Sequence, residues 1–301
     1  MIEGSSMRIP LFIRRYTPGQ FVIHAVLAFA LVIYGLPLLW LFIASTRTES
    51  SMYSDPPLML GSWHALKQAW DNLAGYNDFQ MLVWAKNSII YTLGSVSLTL
   101  ASCIPAGYVL AIAKVPGRRF ILIMTLVAMI TPSQAIVLPI FLEMTLLGLV
   151  NTYFGLIIAS AFFPFGVYLS YIYFTTSMPL SVIESARIDG CGHFKTFFRI
   201  ALPMSKPLIA LVSFFSFVNN WNNYFLAFVL ISDDSKLNLP VGLTALLSST
   251  GAINPRTASN IPIGLQEAIL AAIIVVLPII LIFLASQKHV RSGLNAGAEK
   301  G

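Results

Sequence analysis

Six long apolar runs restrict what this chain can fold into more than any other feature. A helix needs about 20 mostly apolar residues to cross about 30 Å of hydrocarbon, and each run is about that long. A transmembrane barrel would instead show alternating segments of about ten residues. The sequence therefore predicts an all-α membrane protein with six transmembrane helices. The runs lie at residues 21–43, 87–113, 120–142, 153–174, 208–231 and 268–286.

The apolar excess extends along the whole chain and is not confined to one anchor. Of the 301 residues, 57% are hydrophobic and only 10% are charged, against roughly 25% charged in an ordinary soluble domain. This composition predicts one membrane domain at residues 21–285. A short N-terminal segment at 1–20 precedes it, and a C-terminal tail at 286–301 follows it.

The distribution of basic residues predicts the orientation, because short cytoplasmic loops are enriched in Lys and Arg. Thirteen of the 18 basic residues fall on the side that holds both termini. Both termini are therefore expected in the cytoplasm, with the chain spanning a membrane in contact with lipid. The net charge of +6 is spread over four segments without a dense run, which argues against a nucleic-acid partner. The thirteen are Arg8, Arg14, Arg15, Lys114, Arg118, Arg119, Arg187, Lys195, Arg199, Lys206, Lys288, Arg291 and Lys300.

Motifs for catalysis and metal binding are missing from the sequence. It contains no Gly-x-x-x-x-Gly-Lys-Ser/Thr phosphate loop and no Gly-x-Ser-x-Gly elbow. Its four histidines are scattered, and Cys103 and Cys191 form no Cys-x-x-Cys pair. We therefore predict no catalytic residue, no metal site and no cofactor in this chain.

One cytoplasmic loop, residues 175–206 between the fourth and fifth runs, is long and chemically mixed. Ser181 and Glu184 have the spacing of a capping box, which predicts a helix of about two turns from residue 182 to 189. Gly190 can adopt the left-handed conformation that ends such a helix. A second segment with phenylalanines at helical spacing follows and is expected to stop at Pro203. The loop is thus predicted to form a helix-turn-helix.

The same loop carries a sequence signature. Glu-x-Ala, a glycine six residues after the glutamate, nine further residues and Ile-x-Leu-Pro occur in that order. The pattern resembles the cytoplasmic signature of binding-protein-dependent ABC importer permeases, with Ser185 in place of the usual second alanine. The ending at residues 293–301 and the stretch at 239–243 resemble the maltose-type six-span sugar permeases. The signature positions are Glu184, Ser185, Ala186, Asp189, Gly190, Ile200, Leu202 and Pro203.

The resemblance implies partners and a mechanism. In such permeases the cytoplasmic helix, called the coupling helix, docks into a cleft of an ATPase subunit, and the C-terminal tail also contacts the ATPases. Gly293, Leu294 and Gly297 are the corresponding tail residues. The implied assembly has a second permease subunit, expected to be a different chain, two ATPase subunits that bind ATP and Mg, and an extracytoplasmic solute-binding protein. Sugar or oligosaccharide transport across a bacterial cytoplasmic (inner) membrane is the implied function.

Four amides and two aromatic rings lie together in the fifth run. Amides can hydrogen-bond sugar hydroxyls, and aromatic faces can stack on sugar rings, so these residues are candidates to line the pathway. A run of six covers every face of a helix, and some of these amides are therefore expected to join helices together. The residues are Asn219, Asn220, Trp221, Asn222, Asn223 and Tyr224.

Two other functions are compatible with six spans. A secondary carrier or channel would work without an ATPase, but a proton-coupled carrier usually buries charged relays, which the six runs lack. A membrane enzyme would need a catalytic constellation. The charge of the cargo stays open at this point, because the partner permease could supply basic residues.

Two further sequence patterns, an amphipathic segment and prolines in the apolar runs, bear on the shape of the helices. Residues 63–73 carry apolar side chains at three- and four-residue spacing, which predicts a short amphipathic helix, either packed against the protein or lying on the membrane surface. Prolines within the apolar runs could bend helices around a cavity or simply pack. Among them are Pro105, Pro132, Pro139 and Pro164.

Overall fold

The computed structural model describes residues 18–113, 115–249 and 263–295, and the side chains of residues 19–113, 115–248 and 263–287. Across these residues the chain forms helices and no β-strand, which confirms the all-α prediction. Residues 1–66 and 67–301 separate into two units. Most of the N-terminal segment 1–20 lies outside the described residues, as does Lys114.

The first unit contains the first apolar run. Helix α1, Pro18–Ser45, covers that run, and only 6% of its most apolar window is buried. A short helix α2, Glu49–Ser54, follows. The guanidinium of Arg47 is buried and donates hydrogen bonds to the carbonyl oxygens of Pro56 and Pro57 at 2.9 and 3.3 Å. These bonds close the loop and satisfy a buried charge.

The second unit is built around one long helix, α4. This helix packs against α8, α12, α7 and α14, while α12 also packs against α15. Helix α4 starts at Gln80, seven residues before the predicted run. The helices are α3 Trp63–Gly75, which begins just before the unit boundary, α4 Gln80–Ile112, α5 Arg118–Ile130, α6 Val137–Leu146, α7 Tyr153–Ser160, α8 Pro164–Thr176, α9 Leu180–Ile188, α10 His193–Thr196, α11 Leu202–Met204, α12 Lys206–Trp221, α13 Phe225–Leu230, α14 Leu239–Ser249 and α15 Leu265–Asn295.

Three of these helices are long and apolar enough to cross a membrane alone, namely α1, α4 and α15. Three bent helix pairs raise the number of spans to six if each pair counts as one. The third predicted run is not a continuous helix. Instead, α5 and α6 meet at 105° across Thr131, Pro132 and a 3₁₀ turn, Ser133–Ile136. Pro132 has no N–H to continue the hydrogen-bond ladder, which explains the break at this position.

The fourth run is bent by 45° where α7 ends and α8 begins at Pro164. Side chains of α4 satisfy the carbonyl oxygens that this break leaves free. The hydroxyl of Thr99 donates to the carbonyl of Ala161 at 3.1 Å, and the thiol of Cys103 donates to that of Phe163 at 3.4 Å. Such partners are what allows a broken helix at membrane depth.

The remaining local predictions have mixed outcomes. The helix predicted at residues 63–73 is present as α3, and its buried face contains Ala69 and Leu73. Pro105 and Pro139 lie inside α4 and α6, so neither interrupts its helix. Of these four prolines, Pro132 and Pro164 coincide with breaks.

Candidate functional site

The loop with the sequence signature folds as two helical segments, as predicted, but its first helix begins differently. Helix α9 starts at Leu180, and Pro179 is the N-cap without any side-chain cap hydrogen bond. The predicted capping box of Ser181 and Glu184 is therefore wrong, because Ser181 already lies within the first turn. The fixed φ of proline, −66° here, suits this helix entry.

Helix α9 ends as predicted at Gly190. This glycine has φ +76°, in the left-handed region. The N–H of Cys191 donates to the carbonyl of Ala186 at 2.9 Å, and the N–H of Gly190 donates to that of Arg187 at 3.0 Å. This pair of bonds is the Schellman motif, and it requires a residue that tolerates positive φ.

The two faces of α9 differ sharply. Ile183 and Ala186 are buried, with 2% and 4% of their surface exposed, and Ile183 belongs to a hydrophobic cluster at the end of the bundle. Glu184, Ser185, Ile188 and Asp189 are exposed. The cluster joins α4, α8, α9, α12 and the segment before α11, and consists of Ile104, Tyr108, Phe174, Met178, Ile183, Phe197, Ala201, Leu208 and Val212.

The second segment continues one residue beyond the predicted stop. Helix α10 passes into a π-turn, Phe197–Ala201, in which the N–H of Leu202 donates to the carbonyl of Phe197, and the helix ends at Met204. Pro203, which has no N–H to donate, comes directly after Leu202 and lies inside this last turn. This helix meets α12 at 77°. Ile200 and Leu202 are half-buried, while Pro203 is exposed.

The tail residues expected to contact the ATPases lie at the limit of what the structure describes. Gly293 and Leu294 belong to the last turn of α15, and Gly297 lies outside the described residues.

The amide-rich run interrupts the fifth predicted span. Helix α12 ends at Trp221, and α13 begins only at Phe225. The predicted continuous helix at 208–231 is therefore wrong at its centre. The side chain of Asn238 donates to the carbonyl of Asn223 at 2.5 Å, which supplies a partner where the helix ladder is broken.

The six residues separate into two groups. Asn220 and Trp221 are buried in the bundle, where the indole N–H of Trp221 donates to the carbonyl of Val275 in α15 at 2.8 Å. Trp221 therefore joins α12 to α15, whereas the amide of Asn220 donates within α12 to the carbonyl of Ser216 at 2.8 Å. The other four line a cleft, and they are Asn219, Asn222, Asn223 and Tyr224.

The cleft has a volume of about 530 Å³ and lies where two helix breaks meet. Ser133 and Gln134 come from the break between α5 and α6, and Asn222 and Asn223 come from the break between α12 and α13. The amide of Asn223 donates to the hydroxyl of Ser160 at 2.8 Å, which fixes its orientation. The wall is thus rich in neutral hydrogen-bonding groups, as a site for hydroxyl-bearing ligands requires.

Sequence reasoning missed a polar clamp between α4 and residues 232–238, which we call the strap. Gln80 and Trp84 both donate to the carbonyl of Asp234, at 2.7 and 3.0 Å. Asn87 donates to the carbonyls of Ser235 and Leu237, both at 2.9 Å, and Tyr91 donates to that of Lys236 at 2.8 Å. The four donors lie at spacings of four, three and four, on one helix face. These polar residues, spaced along one helix face where an apolar run begins, are the sequence pattern that could have predicted the clamp.

The strap also contains a carboxyl group, that of Asp233, whose pKa is shifted. The carboxylate of Asp233 accepts hydrogen bonds from the hydroxyl and the N–H of Ser235 at 2.6 and 2.9 Å, and it lies 3.1 Å from the ammonium of Lys236. The bonds from Ser235 and the nearby ammonium hold the pKa of Asp233 below its ordinary value.

Comparison with known proteins gives consistent matches. A family described as "binding-protein-dependent transport system inner membrane component" matches residues 103–295. The diacetylchitobiose uptake system permease protein NgcG of Streptomyces coelicolor is 31% identical over 278 residues, which cover 91% of this chain and 87% of that protein. The arabinooligosaccharides transport system permease protein AraQ of Bacillus subtilis is 32% identical over 72% of this chain and 73% of that protein. A chain in the crystal structure of a bacterial ABC transporter involved in the import of the acidic polysaccharide alginate superposes with a TM-score of 0.75 at 26% identity, covering 91% of this chain and 99% of that chain.

Proposed function

The chain belongs to the family of binding-protein-dependent transport system inner membrane components, and from that premise we propose that it is the permease subunit of an ATP-driven sugar or oligosaccharide importer. It forms half of the pathway with a second permease chain. Two ATPase subunits bind ATP and Mg on the cytoplasmic side, and a solute-binding protein delivers cargo on the other side. Both termini lie in the cytoplasm, in agreement with the distribution of basic residues.

The observation that carries this proposal is the two-faced helix α9. Its exposed face combines Glu184, Asp189 and the apolar Ile188, which is 86% exposed, and Phe194 nearby is 83% exposed. Apolar side chains this exposed on a charged surface are typical of an interaction site. We propose that α9 is the coupling helix and that this face docks into an ATPase subunit.

The buried face of α9 supports a route by which motion of the ATPase subunits reaches the membrane spans. Ile183 packs in one cluster with Phe174 of α8 and Leu208 of α12. Close-packed clusters transmit displacement because they resist compression. A push on α9 would therefore move the ends of the fourth and fifth spans together and switch the pathway between its two orientations as a rigid-body change. Ala186 contributes through its small size, which lets α9 approach the bundle.

The cleft supports a saccharide cargo. Its lining offers amides from Asn219, Asn222 and Asn223 and one aromatic ring, Tyr224. The names of the relatives include diacetylchitobiose and arabinooligosaccharides, both saccharides. We propose that the same class of cargo passes this cleft and that the broken fifth span presents the amides to it.

Reconstitution tests the proposal. The full chain, expressed with its neighbouring transport genes and purified from membranes, should bring an ATP-hydrolysing subunit with it in fixed stoichiometry. In proteoliposomes, Glu184→Arg should reduce ATP-driven uptake at least about tenfold, because a reversed charge at a docking face costs more than 1.4 kcal/mol.

Glu49→Arg is the matched control, since Glu49 is also an exposed glutamate of a short helix but lies far from α9 in sequence. Its uptake should equal that of the unaltered chain. Uptake that continues without an ATPase, or that is insensitive to Glu184→Arg, would favour a secondary carrier and contradict the proposal.

A further inference from the structure

A second cleft, of about 450 Å³, adjoins the amide-lined one. Ile136, Ile140, Ala159 and Phe162 line both clefts, so the two form one continuous groove. Among the described residues that line either cleft, Glu143 is the single ionisable acid or base apart from the phenol of Tyr224, and no Lys, Arg or His is present. The electrostatic character of this groove is therefore set by one carboxylate.

Glu143 lies on the face of α6 that lines the groove. Ile136, Ile140, Glu143 and Leu147 follow one another at spacings of four, three and four, and all four line the second cleft. The Glu143 side chain is exposed and makes no hydrogen bond or ion pair with any described residue. It is five residues from Gly148, near the end of an otherwise apolar helix.

Glu143 comes directly after the third apolar run, and a carboxylate at the end of an apolar span needs water or a positive charge beside it. Charge is costly to place in hydrocarbon, and acidic residues in or beside spans therefore face cavities or partners. The groove provides such a cavity for Glu143. Its negative potential extends over about a Debye length, roughly 8 Å at physiological ionic strength. A solute in the groove lies within that range.

We infer that Glu143 makes this half of the pathway favour neutral or amine-bearing saccharides over carboxylated ones. The inference rests on the proposed function, because it treats the groove as part of the translocation path. Amides select hydroxyl groups without regard to charge, whereas a single carboxylate repels uronic acids. Glu143 is thus assigned as a specificity-determining residue.

Charged thiol reagents measure this potential directly. Ala159 lines both clefts and is small, so Ala159→Cys places a reporter between Glu143 and the amides. The assembled transporter carries Cys191→Ser, and Cys103 is kept because it is buried. Rates of modification are compared for a cationic and an anionic methanethiosulfonate. The rates measured for the parent transporter, which lacks Ala159→Cys, are subtracted first.

Glu143→Gln should lower the ratio of cationic to anionic modification by about threefold or more, since a nearby unit charge shifts the two rates in opposite directions. Glu143→Asp should preserve the ratio. Asp71→Asn is the matched control, because Asp71 is an exposed carboxylate outside both clefts, and it should leave the ratio unchanged.

An unchanged ratio in Glu143→Gln would overturn the inference and indicate a carboxylate neutralised by the partner permease. A reporter that reacts with neither reagent would overturn it too, because the groove would then hold no water. Both results leave ATP-driven uptake and its dependence on Glu184 intact, so they are distinguishable from a failure of the proposed function.

Discussion

Gly107 in α4 lies so close to Ser170 in α8 that a Cβ atom on the glycine would stand 2.3 Å from the serine Cβ. Contacts this short force the helices apart, and overpacking of a core typically costs 1–3 kcal/mol. Gly107→Ala should therefore lower the free energy of unfolding by about 1–3 kcal/mol. Thermal unfolding in detergent measures the change. Gly35→Ala is the control, since its nearest neighbour would be Leu31 at 3.8 Å, and it should unfold at an unchanged or higher temperature.

Gly190 offers a test of the loop that holds α9. Because its φ is +76°, an alanine there would be strained, by about 1–2 kcal/mol for a left-handed L-residue. Gly190→Ala should fray the end of α9, which hydrogen exchange of residues 186–191 would report, and should weaken ATP-driven uptake. Gly192 has φ −69° and open space around its Cβ position, so Gly192→Ala should change neither. Equal effects of the two substitutions would exclude the backbone explanation.

Which parts of the fold could be predicted depends on whether local sequence or packing decides them. The long helices α1, α4 and α15 were predictable, because a continuous apolar run must satisfy its backbone internally in lipid. The helix breaks were not. Six prolines occur in the runs, yet only Pro132 and Pro164 lie at breaks, and Pro37, Pro105, Pro139 and Pro278 do not. Partners such as Thr99 and Cys103, which accommodate a break, come from another helix.

The candidate site shows the same division. Gly190 ends α9 as the signature predicts, since a left-handed residue is a local requirement. The start of α9 was misplaced because Pro179 and Ser181 both offer acceptable helix entries. The amides of residues 219–223 were recognised by their chemistry, but their division between bundle and cleft depends on the break after Trp221, which single-sequence periodicity does not reveal.

Asn87 holds the strap to α4, and its removal should release the strap. Its amide donates to two strap carbonyls, and its side-chain oxygen accepts from the hydroxyl of Tyr153 at 2.8 Å, with 1% of the residue exposed. Buried groups left without partners cost about 1–3 kcal/mol each. Asn87→Leu should therefore accelerate hydrogen exchange and proteolysis at residues 232–238.

The control for that substitution is Asn222→Leu. The amide of Asn222 is exposed and donates only within its own helix, to the carbonyl of Val218 at 2.9 Å. It should leave exchange in the strap unchanged. Protection that survives Asn87→Leu would show that the remaining α4 donors, Gln80, Trp84 and Tyr91, are sufficient to hold the strap.

Asp233 makes the strap sensitive to acid, and the direction follows from its lowered pKa. A carboxyl group whose pKa is lower in the folded than in the unfolded state contributes stability above the unfolded pKa and loses that contribution as pH falls through the folded pKa. The hydrogen bonds from Ser235 lower the pKa of Asp233 below 3.8. Local stability of residues 233–236 should therefore be constant from about pH 7 to about pH 5 and should fall only in stronger acid. Hydrogen exchange of the Ser235 amide, corrected with an unstructured peptide at each pH, measures it. Asp233→Asn should remove the acid transition, whereas the control Asp71→Asn should retain it. A transition that persists in Asp233→Asn would assign the acid response to another group.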